Sequence, residues 1–171
     1  MRIRHSLVLI LAAATLVTGC GSSSGQEAAP RVWEPDDALQ RADKALGREA
    51  GDGRVTMRGT GFLAGGLDKT LEAGGEGPYR LDLACDSEES PRVTVVLSRE
   101  GGSGERPFDV ACGTVGEVTR LNLPAGPALT VHVEPTAQDD SPPAAVLSWQ
   151  LLTVDPAAVQ GCPDALAGCP S

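Results

Sequence analysis

The chain has 171 residues and a formal net charge of −9, from 23 acidic and 14 basic side chains. This balance disfavours nucleic acid and anionic lipid headgroups as partners, because both are negatively charged. Aromatic residues make up only 3% of the chain, which is few for the platform of exposed rings that a carbohydrate-binding sandwich usually presents.

The first 19 residues have the plan of a signal peptide. Arg2 and Arg4 make the N-terminal segment positively charged, no acidic residue accompanies them, and an apolar run follows at 7–16. This run is about half the roughly 20 residues that a transmembrane helix needs. Charged residues, Gly or Pro interrupt every later apolar stretch. We therefore expect residues 1–19 to direct export and to be removed.

A short motif, Val17-Thr18-Gly19-Cys20, follows the apolar run. It resembles the lipobox of bacterial lipoproteins, in which an aliphatic residue and two small residues precede a cysteine. The resemblance implies cleavage before Cys20 and a diacylglycerol on its sulfur, which would anchor the protein to the extracytoplasmic face of the cell membrane. Two acyl chains anchor a protein stably, whereas one binds only marginally. Residues 20–33 are then predicted to form a flexible tether.

One short helix is predicted over residues 34–47. Leu39, Ala42 and Leu46 recur at helical spacing, and two acidic residues occupy the predicted first turn. Gly47 is a suitable end for this helix.

From residue 54 to residue 154 the hydrophobic pattern has period two, as half-buried antiparallel strands do. The predicted strands are 55–62, 67–71, 79–85, 93–98, 108–112, 118–123, 129–133 and 145–154. About eight short strands separated by Gly, Pro, Asp and Ser predict an all-β fold, an antiparallel β-sandwich that resembles a jelly roll. Gly59, Gly61 and Gly65 resemble an incomplete dinucleotide-binding loop, but no βαβ pattern surrounds them. They are interpreted instead as a bulge or a tight turn.

A strand-and-turn pattern occurs twice in this region. The segments 71–74 (Leu-Glu-Ala-Gly) and 123–126 (Leu-Pro-Ala-Gly) each lead through a proline into an alternating strand. This pattern is similar to that of small secreted β-sandwich modules, including uncharacterised actinobacterial lipoproteins and the pre-peptidase C-terminal type of domain. The preference for Arg over Lys also resembles actinobacterial, Streptomyces-like residue usage. The resemblance implies a sandwich over residues 54–154 and carries over no functional residue.

Five cysteines are present. Without the lipid-bearing Cys20, the remaining four are Cys85, Cys112, Cys162 and Cys169. An even number in an exported domain predicts two disulfides, with three pairings open. Cys85 and Cys112 share the inward phase of their strands, which favours a bridge between them. Cys162 and Cys169 bracket a short loop in the C-terminal tail, residues 155–171, and are expected to pair with each other.

Acidic residues cluster in two predicted turns. We name this set the acidic rim: Asp86, Glu88, Glu89, Asp139 and Asp140. Loops at the end of a sandwich can bind Ca²⁺ through carboxylate oxygens, so calcium is the cofactor that this rim would suit, although EF-hand spacing is missing. A partner protein with a basic surface is the other ligand that it would suit. Solvated turns without a ligand are the alternative interpretation.

We assign no catalytic residue and no metal ligand from the sequence. His132 is the single histidine after the predicted signal peptide, and it falls on the outward phase of its strand. The sequence therefore offers few of the residues that a Ser-His-acid triad or a transition-metal site needs. The segment 21–25 matches G-x-S-x-G, but no strand and helix surround it as that motif requires.

The sequence therefore predicts a non-enzymatic binding or scaffolding module of the cell envelope, with an envelope protein as its partner. The alternatives are an accessory or sensor subunit of a membrane complex, and a carboxylate-dependent envelope hydrolase.

Overall fold

The structure, a computed structural model of the chain, describes residues 33–49, 53–72, 77–101, 104–113, 117–136, 145–160 and 166. All of them belong to one compact unit, Val32–Ser171. Its elements are α1 (Pro35–Glu49), β1 (Arg54–Phe62), β2 (Leu67–Leu71), β3 (Tyr79–Ser87), β4 (Arg92–Arg99), β5 (Arg106–Ala111), β6 (Val118–Leu123), β7 (Leu129–Val133) and β8 (Ala145–Thr153), followed by a 3-10 helix at Pro156–Val159. The predicted signal peptide and Cys20 lie outside the described residues.

The strands form two four-stranded antiparallel sheets. Sheet A has the order β1-β8-β3-β6, and sheet B has the order β2-β7-β4-β5. The prediction of an all-β antiparallel sandwich with a short N-terminal helix is confirmed. Each predicted helix or strand end lies within two residues of the observed one, because hydrophobic period and turn residues both mark these ends.

The strand pairing follows from rolling up one long hairpin. β4 pairs with β5 at the tip, and β3 with β6, β2 with β7 and β1 with β8 follow along its two arms. Rolling the arms brings β3 beside β8 and β4 beside β7, which completes the two sheets. This is a jelly roll, in which the two sheets bury their inner faces against each other.

Inward-facing residues of both sheets form the main core. Leu81, Leu83, Leu147 and Leu151 of sheet A are fully buried, and they meet Val131 and the other inward residues of sheet B. The alternating apolar residues of the sequence therefore line the space between the sheets.

A glycine in β1 makes room for the largest ring of this core. Gly59 lies opposite Trp149 of β8, and any side chain at Gly59 would collide with the Trp149 indole. The interpretation as a bulge or turn is wrong for Gly59 and Gly61, because both pair regularly with β8 and the irregularity lies between Val55 and Met57. Gly65 does lie in the turn between β1 and β2. A glycine within a strand can mark either a bulge or the close approach of a neighbouring group. The second explanation applies to Gly59.

A disulfide joins the two sheets at one end of the sandwich. Cys85 of β3 is bonded to Cys112, which follows β5, with 4.5 Å between their Cα atoms. The predicted pairing of these two cysteines is confirmed. The expected bridge between Cys162 and Cys169 lies outside the described residues.

Helix α1 lies across the outer face of sheet A. Its buried stripe consists of Ala38, Ala42, Ala45 and Leu46, and this stripe packs with outward residues of β3 and β8 such as Ala84. β3 is therefore buried on both faces, although its alternating sequence predicts burial on one face only. The difference arises because the covering helix comes from a distant part of the chain.

Candidate binding face

The two outer faces of the sandwich differ in what covers them. α1 lies over sheet A, whereas no described element lies over the outer face of sheet B. The outward residues of sheet B form what we call the open face: Asp68, Thr70, Thr94, Val96, Ser98, Pro107, Asp109, Thr130 and His132. Most of these side chains are small and polar, so the face is compatible with water and can hydrogen-bond a partner.

A groove splits the open face where β7 leaves β4. The ladder between these strands ends at Val95 opposite Val133, whereas β4 continues beside β5 as far as Arg92. Pro135 has no N–H group with which to extend β7, and the Thr136 N–H donates to the Leu63 carbonyl instead (2.9 Å). The chain therefore turns away from β4.

We call the resulting space, of about 370 Å³, the split groove; its lining residues are Arg92, Val93, Thr94, Val96, Val133, Glu134, Pro135 and Thr136. This volume falls within the range typical of ligand pockets.

Opposite charges and hydroxyl groups lie around an apolar floor in the split groove. Arg92 and Glu134 come from different strands and line the same space. Arg92 is 70% exposed, and its Nη1 lies 3.7 Å from Oδ2 of Asp109, so water screens this pair and leaves the guanidinium accessible. The buried Thr136 Oγ1 has no hydrogen-bond partner among the described residues. The groove can therefore hydrogen-bond a ligand and orient its charges.

The split groove also presents a strand edge. Backbone groups of successive strand residues point to opposite sides. The Pro91 carbonyl accepts from Cys112 on the β5 side, and the Glu100 N–H donates to Ala128 on the β7 side. By this alternation, the backbone N–H and C=O of Arg92 and the N–H of Thr94 point into the groove, beyond the last ladder pair, Val95 opposite Val133. A strand edge of this kind can pair with an extended peptide.

His132 and Asp68 form a cross-strand pair on the open face. His132 Nδ1 lies 2.8 Å from Asp68 Oδ1, and their side chains are 44% and 76% exposed. This hydrogen bond raises the pKa of His132 above 6.5, and Glu134 and Glu105 raise it further by their negative charge. His132 faces outward, as its strand phase predicts. Protonation of His132 therefore adds positive charge to the open face, and this charge persists to higher pH than on a free histidine.

The acidic rim is not a single surface. Asp86 is a β3 residue with a side chain only 1% exposed, bound by Arg41 of α1 at 2.7 and 3.0 Å. Trp33 Nε1 donates to the same carboxylate at 2.9 Å. The placement of Asp86 in a solvated turn is therefore wrong, because α1 covers the outward phase of β3. The hydrogen bond to this carboxylate raises the pKa of Arg41.

The other members of the acidic rim have different positions. Glu88 and Glu89 are exposed in the turn after β3, and Asp139 and Asp140 lie outside the described residues. In the described part of the chain, no three His, Cys, Asp or Glu residues are grouped as metal ligands. Calcium binding by this set stays a prediction.

No sequence signal pointed to the split groove. Pro135 was visible as a residue that ends a strand, but which neighbouring strand continues past that end depends on sheet order. The described residues also include no helix long and apolar enough to cross a membrane.

No protein-family model and no curated relative matches this chain. Among solved structures, it is similar to AlgX of Pseudomonas aeruginosa, with 9% sequence identity and a TM-score of 0.39 over 59% of this chain and 27% of that protein. It is also similar to a ruminal GH26 endo-β-1,4-mannanase, with 14% identity and a TM-score of 0.35 over 64% of this chain and 22% of that protein. The chain spans about a quarter of the length of each.

Proposed function

We propose that this protein is a lipid-anchored, non-enzymatic binding module of the cell envelope, and that it binds an envelope protein through the split groove. The observation that carries the binding role is the early end of the β4–β7 ladder. It opens a groove of about 370 Å³ in a face that no described element covers.

The chemistry of the split groove suits an extended protein segment. The N–H and C=O of Arg92 and the N–H of Thr94 can extend the ladder by pairing with such a segment. Arg92 and Glu134 then offer opposite charges at its sides, which would favour one direction and register of the bound segment. Binding of this kind uses recognition alone and requires no catalytic group.

The anchor rests on the motif that ends in Cys20. A diacylglycerol on Cys20 would hold the protein at the membrane, and each buried methylene contributes about 0.8 kcal/mol to that attachment. The tether after Cys20 would let the sandwich reach partners near the membrane surface.

Membrane fractionation and mass spectrometry of the mature N-terminus test the anchor. Cys20→Ala should leave the protein unprocessed or release it from the membrane, whereas the matched control Ser22→Ala should be processed and retained. An unmodified Cys20 at the mature N-terminus, or cleavage elsewhere, would refute the lipid anchor.

Site-specific photocross-linking in intact cells tests the binding role. A photoreactive amino acid in place of Thr94 should cross-link to a discrete partner, and Val96→Arg should abolish this product by filling the groove. Thr60 is an exposed strand threonine of sheet A and provides the matched control position, which should give no such product. Equal cross-linking from positions 94 and 60, or a product that is insensitive to Val96→Arg, would argue against the groove.

A further inference from the structure

The contact between α1 and sheet A is separate from the main core. Its buried apolar residues are Ala38, Ala42, Ala45, Leu46, Ala84 and Val146, and none of them belongs to the cluster between the sheets. Four of the six are alanines, which bury little area, and apolar burial contributes only about 25 cal/mol per Å². The apolar contribution to helix docking is therefore small beside that of the leucine-rich core.

Trp33, Leu39 and Val118 add partly buried apolar surface to this contact, and its remaining interactions are polar. Arg41 and Trp33 bind the Asp86 carboxylate, and Gln150 Nε2 donates to the Leu46 carbonyl at 3.2 Å. Beneath the helix, Arg80 Nε binds Asp82 at 2.7 Å. The outer face of sheet A also carries most of the buried polar residues in the described part of the chain, namely Asp82, Asp86, Asn122, Ser148 and Gln150.

Polar contacts of this kind specify where a helix docks but cost little to separate into water. When α1 lifts away, Arg41 and Asp86 both regain hydration, which offsets most of the attraction that is lost. The sandwich keeps its own core and the Cys85–Cys112 disulfide in the process. Only four residues, 50–53, connect α1 to β1.

We infer that α1 is a separable cover, which undocks from an intact sandwich and exposes a second, polar face of sheet A. That face contains a cross-strand row that spans all four strands, formed by Arg58, Gln150, Asp82 and Arg120. The closed protein conceals the centre of this row beneath α1, where Asp82 and Gln150 are buried, and the open protein exposes these groups to solvent. The cover thus provides two states that differ in which outer faces are accessible.

Native-state hydrogen exchange of the mature chain, at increasing denaturant below the unfolding transition, tests this inference without any partner. Amides of α1 should exchange about 100-fold faster than those of β8. Their exchange should depend weakly on denaturant, because undocking exposes far less surface than global unfolding does. If α1 and β8 exchange at the same rate with the same denaturant dependence, the cover opens only by global unfolding and the inference is wrong.

Two variants separate undocking from global unfolding. In Asp86→Asn, Arg41 loses the Asp86 charge in the closed state only, so α1 should exchange at least about tenfold faster. β8 should accelerate by the same factor, because global unfolding also starts from the closed state. Leu147→Ala, in the main core, should accelerate β8 and leave α1 unchanged as long as undocking remains the easier event. Unchanged α1 exchange in Asp86→Asn, or faster α1 exchange in Leu147→Ala, would overturn the inference, and the unsubstituted chain decides the question if a variant fails to fold.

Discussion

The outer faces of the two sheets begin from the same sequence pattern and end in different environments. β3 of sheet A and β7 of sheet B both alternate apolar and polar residues. Yet Asp82 and Asp86 of β3 are buried, whereas Thr130 and His132 of β7 remain partly exposed. An alternating strand shows which residues face the core, but the environment of its other face depends on whether another element covers it.

The outer face of sheet A suits the helix. Ala84 and Val146 offer α1 small apolar contacts, and Asp86 offers a partner to Arg41. The open face of sheet B offers threonine, serine and histidine instead, and a groove interrupts it. The sandwich thus uses one outer face to hold its helix, and no described element covers the other face.

The disulfide should show the largest stability effect, because it joins β3 of sheet A to the end of β5 in sheet B. Replacing both Cys85 and Cys112 by Ala should lower the free energy of unfolding by ~3–4 kcal/mol, since the bond closes a loop of about 28 residues. Urea denaturation measures this loss. Non-reducing peptide mapping should join the same two cysteines, and a link from Cys85 to Cys162 or Cys169 would refute the pairing.

The covered and open faces can be compared through one carboxylate on each. Asp86→Ala should lower the free energy of unfolding by up to roughly 3 kcal/mol, because it leaves the mostly buried Arg41 without its partner. Asp109→Ala is the matched control, since its pair with Arg92 is 62% and 70% exposed, and it should cost less than about 1 kcal/mol. Urea denaturation of both variants checks the order, and equal losses would contradict the assigned difference between the faces.

The smallest expected effect concerns the His132–Asp68 pair on the open face. Because Asp68 raises the pKa of His132, the pair stabilises the fold fully below about pH 6.5, the usual histidine pKa. This contribution is lost as pH rises through the raised pKa. NMR titration follows the single histidine of the mature chain directly. Asp68→Asn should lower the His132 pKa, and Thr70→Ala, on the same strand, should leave it unchanged; an unaltered pKa in Asp68→Asn would show that the pair does not form.

The local elements of the fold were predictable from the sequence, whereas the candidate site was not. Strand positions follow from the alternation of residues such as Leu129, Val131 and Val133, because a period of two reflects the backbone itself. The bridge between Cys85 and Cys112 was also predictable, since both lie on the inward phase. The split groove depends on β4 lying between β5 and β7, a neighbour relation that no local pattern encodes.

The sequence by itself thus determined the strands, their inward faces, the helix and the inter-sheet disulfide, because each depends on local periodicity or on a property of single residues. Only the tertiary structure decided that α1 covers sheet A, that Asp86 binds Arg41 across 45 residues of chain, and that Gly59 accommodates Trp149. It also decided where β7 leaves β4 and opens the groove. These outcomes require contacts between segments far apart in sequence, which form only when the long hairpin rolls into two sheets.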